Sequence, residues 1–576
     1  MSSADEQPPG ADDGPPGADR PEGADQPPAD GKRRPRPPSG RVVRRRRRLL
    51  VVLLTVGTLG VGVLALSTVL GHEDADEKGG RDPAPAARAA MLVPGDALAY
   101  LHLSTDRDRP SVERALELAE GFPSWPGLRD GLIARLGGAG GPQAASELEG
   151  WIGDEAAFAL LDTRGERADS LVLIEVGDRA RALRYLERRT GKPLGQTPYK
   201  GTVIRAYRTT RAAFTKRFLA LGPAASVRKA IDLQAGGGAS LAASPAYRKA
   251  AARLPTGRVA DAWLSTDGVR RVLAPAGGLL GVAGQLLDRP GLAGVAGAIE
   301  PHGDGARVTT KSLLGPGAPP QPAPFRASLL SDVPADAIAM LETTGLDRLA
   351  SRLLGLPGGG PAGFGAAFAR LKAALERRTG VDLNAQVLPL LRDEAAISIA
   401  AALPVPVVTI VARTRDEQRT REALANLQLP LARLLQAPGA GQESTGALAA
   451  FRPLRLAGAD AYQLDVQPGF SLVYSVADGK LIASTSARGV EAAREATDPL
   501  ADTEGFKTVV PDRDSRITSL TFLDFNQLLG LGEQAGLADD RSFARYRKDL
   551  RKLGAVGAST STEGTTTSAE IVFEIR

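Results

Sequence analysis

The sequence predicts an α+β protein: two tandem homologous lobes, each a largely antiparallel sheet with packed helices, after a disordered tail and one transmembrane helix. Three observations lead there. Short apolar runs of strand length alternate with segments of helical spacing. Motifs of the first part return in the second in the same order. Proline and positive charge gather ahead of a single long uncharged apolar run.

Residues 1–48 are the tail. Residues 1–40 hold ten prolines and six glycines and, after Met1, no large apolar side chain. Such a segment buries too little surface to offset its chain entropy. From Lys32 to Arg48 there are ten basic residues and no acidic one, ending in Arg44, Arg45, Arg46, Arg47 and Arg48. Residues 49–70 follow, 22 in all without a charge. As a helix at ~1.5 Å per residue they span about 33 Å, enough for a hydrocarbon core of roughly 30 Å. Glu73, Asp74, Asp76 and Glu77 lie just beyond. Basic before and acidic after puts the N-terminus in the cytoplasm and the bulk of the chain outside the plasma membrane, with the arginine run against anionic lipid head groups. A cleaved signal peptide has a shorter apolar region and a small-residue cleavage site, for which Ala65-Leu66-Ser67 is a poor match.

The exported part comprises a tether (71–90), lobe 1 (91–314), a Pro/Gly-rich linker (315–324) and lobe 2 (325–576). Val93-Pro94 with Asp96-Ala97 and Ala99 is matched by Val333-Pro334 with Asp336-Ala337 and Ala339. Asp154-Glu155-Ala156-Ala157 is matched by Asp393-Glu394-Ala395-Ala396. VLIEVGDRARAL from Val172 parallels VTIVARTRDEQ from Val408, and WLSTDGVRRVL from Trp263 parallels TFLDFNQLLGL from Thr521. LERRTG at Leu186 and again at Leu375 falls outside this register and reads as repeated helix-ending chemistry, a basic last turn before glycine. Within lobe 1, strands are expected at 98–103, 156–161, 171–176, 203–207 and 218–221, and helices at 179–189 and 226–234 with Asp178 and Ser226 as caps. Closing strands are expected at 307–313 and 569–576.

Composition limits the chemistry. The chain has no cysteine, which removes disulfides, thiolate metal sites and cysteine nucleophiles, and three histidines, which leaves few members for any His-dependent mechanism. The net charge of +6 loses its nucleic-acid meaning once located: without the juxtamembrane +10 the rest carries −4, and aromatics are only 4%.

The repeated pairs Asp154/Glu155 and Asp393/Glu394 are the sharpest polar feature. Carboxylates of this kind bind divalent cations or share acid/base work, but neighbours at a strand entry point to opposite faces, so a solvated turn is the expected role. His102 shares a strand face with Tyr100 and is matched by Glu342, which reads as a polar strand face. Ser226-Val227-Arg228-Lys229 fits Ser-x-x-Lys without its companion Lys-Thr-Gly. The glycines of LPGGGPAGFG from Leu356 lack the Gly-Lys-Ser/Thr of a phosphate loop. No catalytic residue, cofactor site or metal site is assigned.

The N-terminal anchor, VPGDALAYLHLSTD, Phe122-Pro123 before a Leu-rich segment, and Trp151-Ile152-Gly153-Asp154-Glu155-Ala156 resemble the bacterial family called domain of unknown function 3352. The resemblance covers most of residues 91–576, although the second copy has Leu391-Arg392 where the first has Ile152-Gly153, and lacks the tryptophan. It implies a membrane-anchored extracytoplasmic protein and transfers no catalytic residue. The sequence reading is therefore a single-pass protein of the bacterial cell envelope, a non-catalytic interaction or scaffolding module with an unknown envelope partner. The alternative is a carrier or sensor of an apolar, lipid-like ligand, and an enzyme is disfavoured.

Overall fold

The computed structural model describes residues 82–127, 147–148, 150–164, 168–276, 284–285, 287–318, 321–348, 377, 381–402, 406–435, 450–467, 469–495, 497–510, 516–534 and 541–576. All belong to the compact unit that runs from Leu49 to Arg576. The arginines 44–48 and the apolar run 49–70 lie outside them, as do LPGGGPAGFG and all of the second LERRTG except Arg377. Among the described residues no helix is long and apolar enough to cross a membrane.

The fold is mixed α and β around one antiparallel sheet. Its first ten strands are β1 (Ala99–Ser104), β2 (Ile152–Asp162), β3 (Asp169–Val176), β4 (Gly195–Tyr199), β5 (Thr202–Ala206), β6 (Arg211–Phe214), β7 (Phe218–Gly222), β8 (Ala260–Ser265), β9 (Leu292–His302) and β10 (Gly305–Leu314). The next ten are β11 (Ala337–Thr344), β12 (Glu394–Ala400), β13 (Val407–Arg413), β14 (Arg452–Leu456), β15 (Ala459–Gln467), β16 (Phe470–Ala477), β17 (Lys480–Ser484), β18 (Ser519–Asp524), β19 (Leu553–Glu563) and β20 (Thr566–Ile575). In space the first ten lie in the order 4-5-6-7-3-2-1-8-9-10. The second ten lie in the order 20-19-18-11-12-13-17-16-15-14, the same partners in reverse.

β10 pairs with β20 along its length, from Gly305 opposite Glu574 to Leu313 opposite Thr566, so the two series form one sheet. The linker 315–324 therefore does not separate two free-standing lobes. Two isolated lobes would each present an open edge of unpaired N–H and C=O groups at these strands, and their mutual pairing removes both edges. Among the described residues the edges that stay open, β4 and β14, each carry a proline, Pro198 and Pro453, which blunts further pairing.

Helices cover both faces. α1 (Pro110–Glu120) begins with proline at its first turn, where the missing N–H costs nothing, and the Asp82 carboxylate accepts the Ser111 N–H at 3.1 Å. Ala119 of α1 and the following Trp125 pack on Leu103 of β1 and Ala260 of β8. On the opposite face, α3 (Ala224–Gln234) and α4 (Pro245–Ala251) put Ala230, Tyr247 and Ala250 against Tyr100 and Trp263. α2 (Arg179–Thr190) is capped by Asp178 and stops at Gly191, whose φ of 79 suits glycine, as its LERRTG chemistry predicts. Ser226 is not a cap: Pro223 precedes the helix, and Ser226 lies inside its first turn with its hydroxyl buried. Proline at the entry starts the helix earlier than the serine signal suggested. In the second half α5 (Glu417–Leu435), α6 (Ala487–Glu495) and α7 (Glu504–Val509) take comparable places, followed by α8 (Phe525–Gln534) and α9 (Arg541–Leu550).

Candidate functional site

Strand alternation decides what becomes of the repeated carboxylates. Asp154 is exposed while Glu155, the next residue, is fully buried, and Glu155 faces His102. The antiparallel register places His102 opposite Ala157 on one side and Asp261 on the other. Both imidazole nitrogens are used: Nδ1 lies 2.9 Å from Asp261 Oδ2 and Nε2 lies 3.2 Å from Glu155 Oε2. His102 is 0% exposed and Asp261 3%. Burial opposes a charge on this ring, but the Asp261 carboxylate and hydrogen bonds to both acids reverse that and raise its pKa to about 9. His102 is thus an imidazolium at neutral pH. The Arg258 guanidinium donates to Asp261 at 3.1 Å, and the Arg88 backbone N–H donates to Glu155 Oε2 at 3.0 Å. The cluster is a buried charge network in which Glu155 Oε1 has no hydrogen-bond partner among the described residues, and its two acids sit on opposite sides of the ring, so the three do not converge on one point as metal ligands do.

Gly153 has a local explanation. A Cβ there would come within 2.8 Å of Glu175, whose carboxylate accepts the Asp154 N–H at 3.2 Å and an Arg88 N–H at 3.1 Å. In the second half Arg392 replaces this glycine, and the position matching Glu175 in the strand register is Arg413.

There Glu342, 0% exposed, holds the place of His102, and Leu520 holds that of Asp261. Glu394 accepts the Ser328 N–H at 2.6 Å, the Ser328 hydroxyl at 2.6 Å and Arg413 Nε at 3.0 Å. Glu342 Oε1 accepts the Leu329 N–H at 3.0 Å. Burial, and then the hydrogen bond to Glu394, push Glu342 up to about 9, so it is a neutral acid beside a carboxylate. Asp393 pairs with Arg415 at 2.8 Å. Together with Arg392, Arg413, Asp416 and Arg419 these line a polar groove of about 760 Å³.

A different feature lies beside α1, β9 and β10. Where Arg258 turns toward His102, its neighbour Val259 turns toward α1 and lines an apolar cavity of about 290 Å³. Ala115, Ala119, Phe122 and Trp125 form one side, Ile299, Pro301 and Ala306 another, and Asp549 and Ile575 come from the second half. The Ser124 N–H donates to the Asp549 carboxylate at 2.9 Å, tying the halves together at the cavity wall. Sequence reasoning found neither the cavity nor Asp261, because residues that meet there are up to 460 positions apart. Among the described residues no group of three or more His, Asp or Glu side chains is arranged to hold a metal ion. His302 lies at the end of β9, where its Nε2 meets Arg307 at 2.8 Å.

The class these features define is an α+β protein with a buried charge network and an apolar cavity, without an assigned reaction. The family described as "Protein of unknown function (DUF3352)" matches residues 49–575, and the chain belongs to it. No curated protein matches. Solved structures described as crystal forms III and I of TP0453 are similar at 11% identity and a TM-score of 0.25, over 42% of this chain and 84% and 83% of those chains.

Proposed function

We propose that this chain is a single-pass envelope protein, N-terminus cytoplasmic, in which two copies of a ten-strand unit are fused through β10 and β20 and hold an apolar ligand at their joint. It acts as a carrier or sensor and not as an enzyme. The observation that carries this reading is the apolar cavity between α1, β9, β10 and the chain's C-terminal strand. Its volume is at the lower end of the range for ligand sites, and its wall is almost wholly carbon. Position supports it as well. Eleven residues lie between Leu70 and Asp82, an extended reach of at most about 43 Å. Asp82 is fastened to α1 through Ser111 and through Arg109 Nε at 3.2 Å, so the cavity-bearing helix is held close to the proposed membrane exit. The scaffold reading has less behind it: large exposed apolar side chains such as Leu194, Leu429 and Tyr546 lie on separate elements.

The test is native mass spectrometry of the full-length chain purified from its host, beside Ala119→Phe and, from the opposite wall, Ala306→Phe. A reproducible apolar adduct that both variants lose, with circular dichroism unchanged, is the expected result. A wild-type chain without an adduct, or an adduct that survives both substitutions, overturns the reading.

A further inference from the structure

The apolar cavity leaves the polar groove of the second half without a role. We infer that this groove binds a phosphate ester, and that Arg392, Arg413, Arg415 and Arg419 are the groups that take the phosphate. The inference does not depend on the apolar cavity.

Two observations carry it. The first is the direction in which the charges face. The groove, of about 760 Å³, has the size of a small-molecule site. Separate elements bring the arginines to it: Arg392 comes from the turn before β12, Arg413 from the end of β13, Arg415 from the connection to α5 and Arg419 from the first turn of that helix. Arg392 Nε lies 3.7 Å from Asp347, Arg413 Nε 3.0 Å from Glu394 and Arg415 Nη2 2.8 Å from Asp393. The side chains of Arg392, Arg413 and Arg415 are 68%, 45% and 86% exposed, against at most 32% for these three acids. The acids therefore sit behind the guanidiniums and hold them, and an anion entering the groove meets the guanidiniums first. A guanidinium has more N–H donors than one carboxylate contact uses, so donors are left for a ligand. Asp416, another acid of the wall, is engaged as the cap of α5, where it accepts the Arg419 N–H at 2.9 Å.

The second observation is what the first half holds at the same places. Aligned through the pairing of β2 with β3 and of β12 with β13, Arg392, Arg413 and Arg415 stand where the first half has Gly153, Glu175 and Gly177, while Asp416 and Arg419 match Asp178 and Arg181. The first half builds the same strands and the helix that follows without those arginines, so folding does not call for them. Exchanging two glycines and a glutamate for three arginines raises the formal charge of this one spot by four. A phosphate ester suits such a wall better than a carboxylate does. It carries roughly −1.5 to −2 at pH 7 on several acceptor oxygens, so one group reaches more than one guanidinium, and arginine forks match its geometry. A carboxylate brings a single charge to arginines that already have carboxylates beside them.

The same phosphate chemistry is offered by a soluble ester and by the head group of phosphatidic acid, and the experiment separates them. The full-length chain in phosphatidylcholine nanodiscs is treated with phenylglyoxal, which modifies exposed guanidinium groups, and its peptides are read by mass spectrometry, so that the groove is scored apart from Arg44 to Arg48. The soluble probe is sn-glycerol 3-phosphate, succinate at equal ionic strength is the carboxylate control, and nanodiscs containing phosphatidic acid are the lipid probe. Arg415 and Arg419 should react at least about fivefold more slowly with a phosphate source present, and succinate should change them by less than about twofold. Protection by glycerol phosphate assigns a soluble ester, and protection by phosphatidic acid alone assigns a lipid head group. In Arg415→Gln/Arg419→Gln, with circular dichroism unchanged, the concentration that half-protects Arg392 and Arg413 should rise about tenfold. No protection by either phosphate source, equal protection by succinate, or a double variant that is protected like the wild type overturns the inference. The adduct measured for the apolar cavity is unaffected by any of these outcomes, so the two readings fail separately.

Discussion

The buried polar position of β1 and its counterpart in β11 solve one problem in two ways. Both are buried in the sheet, and in each half the neighbouring glutamate of the next strand accepts a main-chain N–H from the segment that leads into the half, Glu155 from Arg88 and Glu394 from Ser328. In the first half the centre is an imidazolium, His102, and two carboxylates surround it with Arg258 behind. In the second the centre is a neutral acid, Glu342; Asp261's place is taken by Leu520, and Arg413 balances the remaining carboxylate. Each cluster closes with no net charge. What the two halves share is the requirement that buried charge be compensated; the residues that meet it differ.

The largest break in the comparison comes from removing the charged centre. His102→Ala leaves Glu155 and Asp261 facing each other without their shared cation, and breaking a buried pair of this kind costs about 3–5 kcal/mol. Chemical denaturation of the full-length chain should show that loss. A loss below about 1 kcal/mol would mean the cluster is not held by charge.

Next in size is the pH dependence. His102 has its pKa raised from 6.5 to about 9, so its contribution to stability is complete below pH 6.5, declines between 6.5 and 9, and is gone above. That contribution is about 3 kcal/mol. Glu342 is raised from 4.5 to about 9, so the second half also loses stability as pH rises, but beginning near 4.5, where the unfolded acid ionises and the folded one does not. Thermal melts from pH 5 to 10 should therefore fall toward the alkaline side, and His102→Ala should flatten the part above pH 6.5.

The smallest effect is expected from Glu342→Gln. Near pH 4.5 both the folded and the unfolded side chain are largely uncharged, and an amide keeps the shape, still accepts from Leu329 and donates to Glu394, so there the change should stay within about 1 kcal/mol, while at higher pH the variant should become the more stable chain because it has no proton to retain. The same melts should then lose the part of the slope that starts near pH 4.5. A loss as large as that of His102→Ala would show the two centres to be charged alike.

Strands that carry short apolar runs, such as β1, β3 and β7, and the alternating end of β20 were legible in the sequence, and the repeated motifs fall on matching strands, β2 with β12 and β8 with β18. β4 and β6 were not, because GQTPY carries glycine, proline and exposed positions, and RAAF is too short to show a period. The Asp-Glu repeat marked Glu155 and Glu394, yet their burial depends on partners from other strands. His102 meets Asp261 across 159 positions, a contact that no local pattern encodes. The cavity escaped for the same reason: alanines, a valine and a tryptophan each read as ordinary core until helix, hairpin and C-terminal strand enclose a space together.

The contrast between the halves turns on the charge of one ring, and with three histidines in the chain that ring can be watched directly. Long-range proton–nitrogen spectra of the full-length chain labelled with ¹⁵N-histidine, assigned with His102→Ala and titrated from pH 5 to 10, report whether both ring nitrogens carry a proton. His102 should keep both protons at pH 7.5 and lose one near pH 9, while His302, whose pKa is lowered by burial and by Arg307, should already be neutral at 7.5. A neutral His102 at pH 7.5, titrating at or below the ordinary histidine value, would contradict it.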